Sequence, residues 1–163
     1  MEKLIMFMMI LASCLSFWVK DVEIVLMDRA YRTIQYGLEH AVHDAALQVE
    51  IMPLSEGFIV FDQPKAEEVM LESIQHNLPV DSMLSPSSDI FFTEPLKIID
   101  IVYLDDNFVG SFPMTWEYML PNGKKFERAI FGPSVALIVD VKVQGAGKTT
   151  PFVVIQEYKG YEG

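Results

Sequence analysis

The sequence predicts an α+β fold: a long N-terminal membrane-anchoring helix, one short helix and an antiparallel sheet of four to five strands. Three observations carry this prediction. Leu4 to Val19 is an uncharged, apolar run. From Lys20 to about Glu50 there is no proline and one glycine, Gly37. From Leu96 onward, stretches rich in Ile, Val and aromatic residues alternate with turn signals.

The apolar run is bounded by Lys3 and by Lys20-Asp21. At about 1.5 Å per residue it reaches roughly 24 Å, short of the ~30 Å hydrocarbon core of a bilayer. Snorkelling of Lys20, Trp18 at the headgroup level or local thinning would make up the difference. Leu4, Phe7, Leu11, Leu15 and Trp18 are the expected lipid-facing residues. An uncleaved anchor is the leading reading. A cleaved secretory signal and a lipoprotein signal stand beside it, because Leu11-Ala12-Ser13-Cys14 has the lipobox pattern with Cys14 as the residue to be acylated. All three place the remainder of the chain outside the cytosol. The count of basic residues near the span, Lys3 against Lys20, Arg29 and Arg32, favours a cytoplasmic C-terminus. Against it stand a leading tail of only a few residues and an acidic outer part, so an extracytoplasmic domain is expected.

The chain has 163 residues, room for one anchor with its helix (1–50) and one modest domain (51–163). A formal charge of −11 argues against a nucleic-acid partner, whose phosphates need a basic face. With Cys14 the single cysteine, no intrachain disulfide can form.

Within the long helix, Ile24, Met27, Tyr31, Ile34, Leu38, Ala41 and Ala45 recur at steps of three and four, which aligns them on one stripe. A ladder of small residues, Ala30, Thr33, Gly37, Ala41 and Ala45, runs beside it. Small residues allow close approach of a second backbone. Gly37 costs about 1 kcal/mol relative to alanine in a helix, so a packing reason is expected for it. Ala30, Tyr31, Ile34, Gly37, Leu38, Ala41 and Ala45 are thus the candidate helix-packing interface. Their partner is the chain's own sheet, or helices of neighbouring subunits, or both. Pro53 is expected to stop the helix.

Gly57 to Phe61 reads as a strand. Asp62 then reads as an N-cap with Pro64 in the first turn, opening a helix to about Leu78 with Ala66, Val69, Met70 and Ile74 on its apolar face. Asp81 to Asp89 is a Ser/Pro-rich loop with no ordering pattern. Leu96 to Leu104 is a strand, followed by the turn Asp105-Asp106-Asn107. Phe112 to Leu120 and Lys125 to Phe131 form a hairpin around Pro121-Asn122-Gly123, with Asn-Gly supplying the positive φ angles of a type I′ turn. Val135 to Val143 and Phe152 to Tyr158 make a second pair.

No catalytic constellation emerges, and no cofactor or metal is expected. Gly145 to Thr149 looks like the tail of a phosphate-binding loop, but Lys142 stands where the first glycine is needed and a strand follows. His40, His43 and Asp44 lie within about one turn, but without a third ligand at helical zinc spacing. No serine sits in a nucleophile elbow. Asp105, Asp106 and Asn107 lack calcium-loop spacing.

An apolar anchor followed by Val22-Glu23, Asp28-Arg29-Ala30, Arg32, Gln35 and Asp44-Ala45-Ala46-Leu47 resembles the N-terminal region of TadE/TadG-like pilin-related proteins. The resemblance covers roughly residues 4–50. It implies an accessory, minor pseudopilin-like component of a pilus or envelope apparatus that works through a membrane and through other pilin-like or membrane helices, as a homo- or hetero-oligomer, without catalysis. Prepilin-type processing wants a glycine before the mature start, whereas the first glycine here is Gly37.

Overall fold

Alternate residues of one strand face two different cores, and this organises the domain. The computed structural model describes residues 2–87, 92–108 and 111–159. In chain order the elements are α1 (Glu2–Ala46), α2 (Ile51–Ser55), α3 (Gln63–Asn77), β1 (Lys97–Leu104), β2 (Met114–Met119), β3 (Lys125–Ile130), β4 (Ser134–Val141) and β5 (Thr150–Glu157). The fold is α+β. Its strands form two antiparallel sheets, one of three strands in the order β1-β4-β5 and one hairpin, β2-β3.

β4 is central and almost wholly buried, which suits its continuous apolar run. Val135, Leu137, Val139 and Val141 point into a core shared with α1 and α3. Ala136 and Ile138 point the other way, into a second core with Leu104, Trp116, Ile130 and Ile155. The period-2 alternation of a strand divides the residues in this way. The result is three layers: helices, three-stranded sheet, hairpin. Met114, Trp116 and Tyr118 of β2 pack on the second core while Thr115, Glu117 and Met119 are exposed, as the alternation predicts.

α1 holds 45 residues, about 67 Å at about 1.5 Å per residue. α3 runs antiparallel to its second half. Ser73 donates to Asp44 (2.6 Å) near one end of the contact, and Leu78 meets Gly37 near the other. α3 begins as the sequence predicts, with the Asp62 carboxylate accepting from the Lys65 amide and a proline in the first turn.

Four local expectations are corrected. First, α1 ends at Ala46 and not near Glu50, because Val49 leaves the helix to pair with Phe61. Pro53 therefore lies inside α2, within the first turn, where its missing N–H has no intrahelical partner to lose. Second, residues 57–60 form no strand, and only Phe61 makes a bridge. This segment is instead held by carboxylates from the turn after β1: Asp105 accepts from the Phe61 amide and Asp106 from the Ile59 amide. Third, the β2–β3 turn is centred on Pro121-Asn122, with the Gly123 amide donating to the Leu120 carbonyl. Gly123 takes φ +78° as the residue after it. Proline's fixed negative φ suits the first central position of a type I turn, and the glycine then closes a three-residue loop. Fourth, the loop from Asp81 is ordered as far as it is described. The Asp81 carboxylate accepts from the amides of Met83 and Ser85, and Val80 bridges to Pro86. Its end, at Asp89, lies outside the described residues.

Candidate functional site

α1 is the element that carries the candidate site, and it has two unlike halves. Residues 3–26 are exposed on every side. Leu4, Phe7, Leu11, Leu15 and Trp18 all present their side chains outward. The helix is long and apolar enough to cross a membrane, and its most apolar 18-residue window is 0% buried. Polar groups inside that window are handled locally. The hydroxyls of Ser13 and Ser16 donate to the carbonyls of Met9 and Ala12, both at 2.9 Å. Such bonds leave the hydroxyl satisfied where water is absent. Cys14 is an exposed free thiol on the same stretch.

The second half is a core helix. Ala30, Ile34, Leu38, Ala41 and Ala45 are buried in one cluster with Met70, Ile74, Leu78, Val135, Leu137 and Val139, and Gly37 is buried beside Leu78. Tyr31 is partly buried. Its ring tilts on Phe152 at 5.8 Å, and its hydroxyl pairs with that of Thr150 at 3.0 Å. Of the two partners the sequence left open for this face, the chain's own sheet and α3 occupy it. The buried side chains of this face are therefore covered from within the chain. The small residues make room for α3: a Cβ built at position 37 would lie 2.5 Å from Leu78 Cδ2. Ile24, expected on the buried stripe, is exposed, because shelter begins only at the half-buried Met27. The same core contains Phe61, Phe92 and Val143, so α1 and the residues after position 50 share one interior.

The remaining candidates do not converge on a site. His40 and His43 line a shallow open depression of about 240 Å³ with Tyr36, Glu39 and Gln156. Asp44 turns to α3, where Ser73 donates to it. No three His, Cys, Asp or Glu side chains among the described residues are arranged to hold a metal ion. Asp105 is buried and serves as an acceptor for backbone amides, a structural tie within the turn that the sequence predicts. Gly145 takes φ +80° in the β4–β5 turn, and β5 follows directly, so no helix stands behind the glycines.

Two exposed apolar regions escaped the sequence reading. Val22, Ile24, Val25 and Leu26 continue the exposed surface of α1 past the charges at Lys20, Asp21 and Glu23. At the far end of the helix, α2 buries none of its residues, and Ile51, Met52 and Phe58 stand exposed. The first was legible as apolar residues between charges. The second was hidden by reading Pro53 as a helix stop.

No family model matches this chain, and neither a curated protein nor a solved structure does.

Proposed function

We propose that this chain is a single-pass, membrane-anchored structural subunit that works by assembly and not by catalysis, a pilin-like component of a pilus or envelope apparatus with its α+β domain outside the cytosol. The observation that carries this reading is the continuity of α1: one unbroken helix, Glu2–Ala46, is lipid-like at one end and core-like at the other. A rigid rod of this kind fixes the distance and orientation of the domain relative to the bilayer. The likeness of residues 4–50 to TadE/TadG-like sequences supports the same reading.

Because the small-residue face is filled from within the chain, assembly contacts fall elsewhere. The anchor offers its whole circumference. The opposite end offers Ile51, Met52 and Phe58, large apolar side chains clustered around an exposed turn. Exposed clusters of this type mark protein–protein contacts.

Native mass tests the reading. The full chain, crosslinked in its own membranes before detergent extraction, should run well above its 18.5 kDa monomer mass. Ile51→Asp together with Met52→Asp should shift that mass downward while leaving the domain folded. A wild-type chain that stays monomeric after crosslinking refutes assembly. Intact mass of Cys14→Ser against wild type separates the lipidated alternative, since an acyl-modified protein would lose its lipid mass and an unmodified anchor would change only by the substitution.

A further inference from the structure

We infer that the lipid-embedded part of α1 does not stop at Val19 but continues through the charges at Lys20–Glu23, so that Leu26 lies in the headgroup layer and the folded domain rests directly on the bilayer that holds its anchor. This rests on the membrane-anchored reading above and goes beyond it by fixing where the membrane surface falls.

Length is the first argument. Leu4–Val19 covers roughly 24 Å and leaves a hydrocarbon core of about 30 Å unfilled. Leu4–Glu23 covers about 30 Å. Headgroup layers add several ångströms on each side, since the whole bilayer is about 40–45 Å thick. Ile24 to Leu26 fit that layer.

The distribution of the exposed side chains is the second argument, and it selects lipid over a partner helix. Successive helical residues turn by about 100°. Val22, Ile24, Val25 and Leu26, all exposed, therefore point to several sides of α1. A single partner helix covers one side. A layer of lipid covers all of them.

No bare stalk remains between the exposed apolar surface and the domain. Met27 is the first half-buried residue and Ala30 the first buried one, so the domain begins where the exposed apolar surface ends. The Tyr31–Thr150 contact places the start of β5 at this end of the domain. Antiparallel pairing brings the end of β4 and the start of β1 there too, since Lys97 lies opposite Asp140 and Val141 opposite Thr150. Exposed Lys97 and Lys148 belong to this end, together with Asp140 opposite Lys97 and the Lys142–Glu94 ion pair, so both signs of charge face the headgroups.

The charges are tolerable at that depth. Asp21 and Glu23 lie close to the boundary, where the cost of a charge is far below its cost at the bilayer centre. Lys20 and Glu23 are one turn apart and of opposite sign, which favours them further. Trp18 then lies about 8 Å beneath the boundary, below the headgroup level at which the sequence alone would set it.

Spin-label depth measurements on the full chain in phosphatidylcholine–phosphatidylglycerol vesicles test this. One label is placed on native Cys14, and others on Leu26→Cys and Tyr36→Cys in a Cys14→Ser background. Oxygen collides preferentially with labels in lipid, and a nickel chelate with labels in water. The Cys14 label should show the lipid pattern and the Tyr36 label the water pattern. The Leu26 label should fall between them, with nickel access several-fold below that at Tyr36. A Leu26 label as open to nickel as the Tyr36 label, or shielded from both reagents as in a protein contact, overturns the inference while leaving the anchor in place. A Cys14 label in water overturns the anchored reading, and the inference falls with it.

Discussion

Leu11 and Leu38 are the same residue type on the same helix, yet they face different surroundings. Leu11 is 43% exposed on a stretch, residues 3–26, that holds no buried residue, whereas Leu38 is fully buried beneath α3 and the three-stranded sheet. Along α1 the backbone hydrogen bonding is the same throughout. What changes is the source of side-chain stabilisation: close packing in the second half, and in the first, where the domain covers nothing, the transfer into lipid proposed above. One helix therefore belongs to two folding problems, and a substitution should be felt in only one of them.

The largest test of that division is a matched pair. Leu38→Ala removes buried methylenes from a packed core and should cost about 2–5 kcal/mol of domain stability. Leu11→Ala, tested the same way, should leave domain stability within about 0.5 kcal/mol, as for sites outside a core. Near-UV circular dichroism of the detergent-solubilised chain reads the unfolding, with the buried Trp116 in the second core as reporter. Equal losses for the two variants would mean that the halves fold as one unit.

A smaller effect sharpens the comparison at the point of closest packing. Gly37→Leu drives a side chain into Leu78, which is itself only 3% exposed and has little room to retreat. Overpacking of this kind costs about 1–3 kcal/mol, only partly offset by the better helix propensity of leucine. From sequence, the close approach at Gly37 could equally have belonged to a neighbouring subunit, and then the domain would keep its stability and assembly alone would suffer. The contact with Leu78 assigns the loss to the domain, and thermal unfolding of the variant measures it.

Much of the architecture was readable because it follows from local periodicity. The α1 stripe, the Asp62 cap and the alternation in β2 are each set by residues near one another in sequence. The split of β4 between two cores was not readable, since an unbroken apolar run says only that both faces are covered, and not by what. The role of Asp105 was also hidden. A carboxylate in a turn looks solvated until the amide of Phe61, 44 residues away, is brought to it. The candidate interface shows the same limit. Its residues were identified from spacing, but the identity of their partner depended on where α3 docks, and that is a long-range fact.

The smallest expected effect separates the two halves by pH. Tyr103, half-buried in the domain, donates to the Gln63 carbonyl at 3.4 Å. Burial pushes its pKa above the usual tyrosine value, and the nearby Glu67 carboxylate pushes it in the same direction. The folded domain thus holds this proton at a pH where the unfolded chain, with a tyrosine pKa of about 10, releases it. The stabilisation is complete below about pH 10 and is lost as the pH rises above it, because the native state then binds more protons than the unfolded one. Tyr118 contributes in the same direction, chiefly through burial and then through its hydrogen bond to Asp100. Tyr103→Phe should therefore flatten the fall in domain stability between about pH 9 and about pH 11. Retention of the chain in the membrane fraction over that range should not change, since neither tyrosine lies on the anchor half of α1. A pH profile for Tyr103→Phe identical to wild type would show that this hydroxyl carries no share of the alkaline loss.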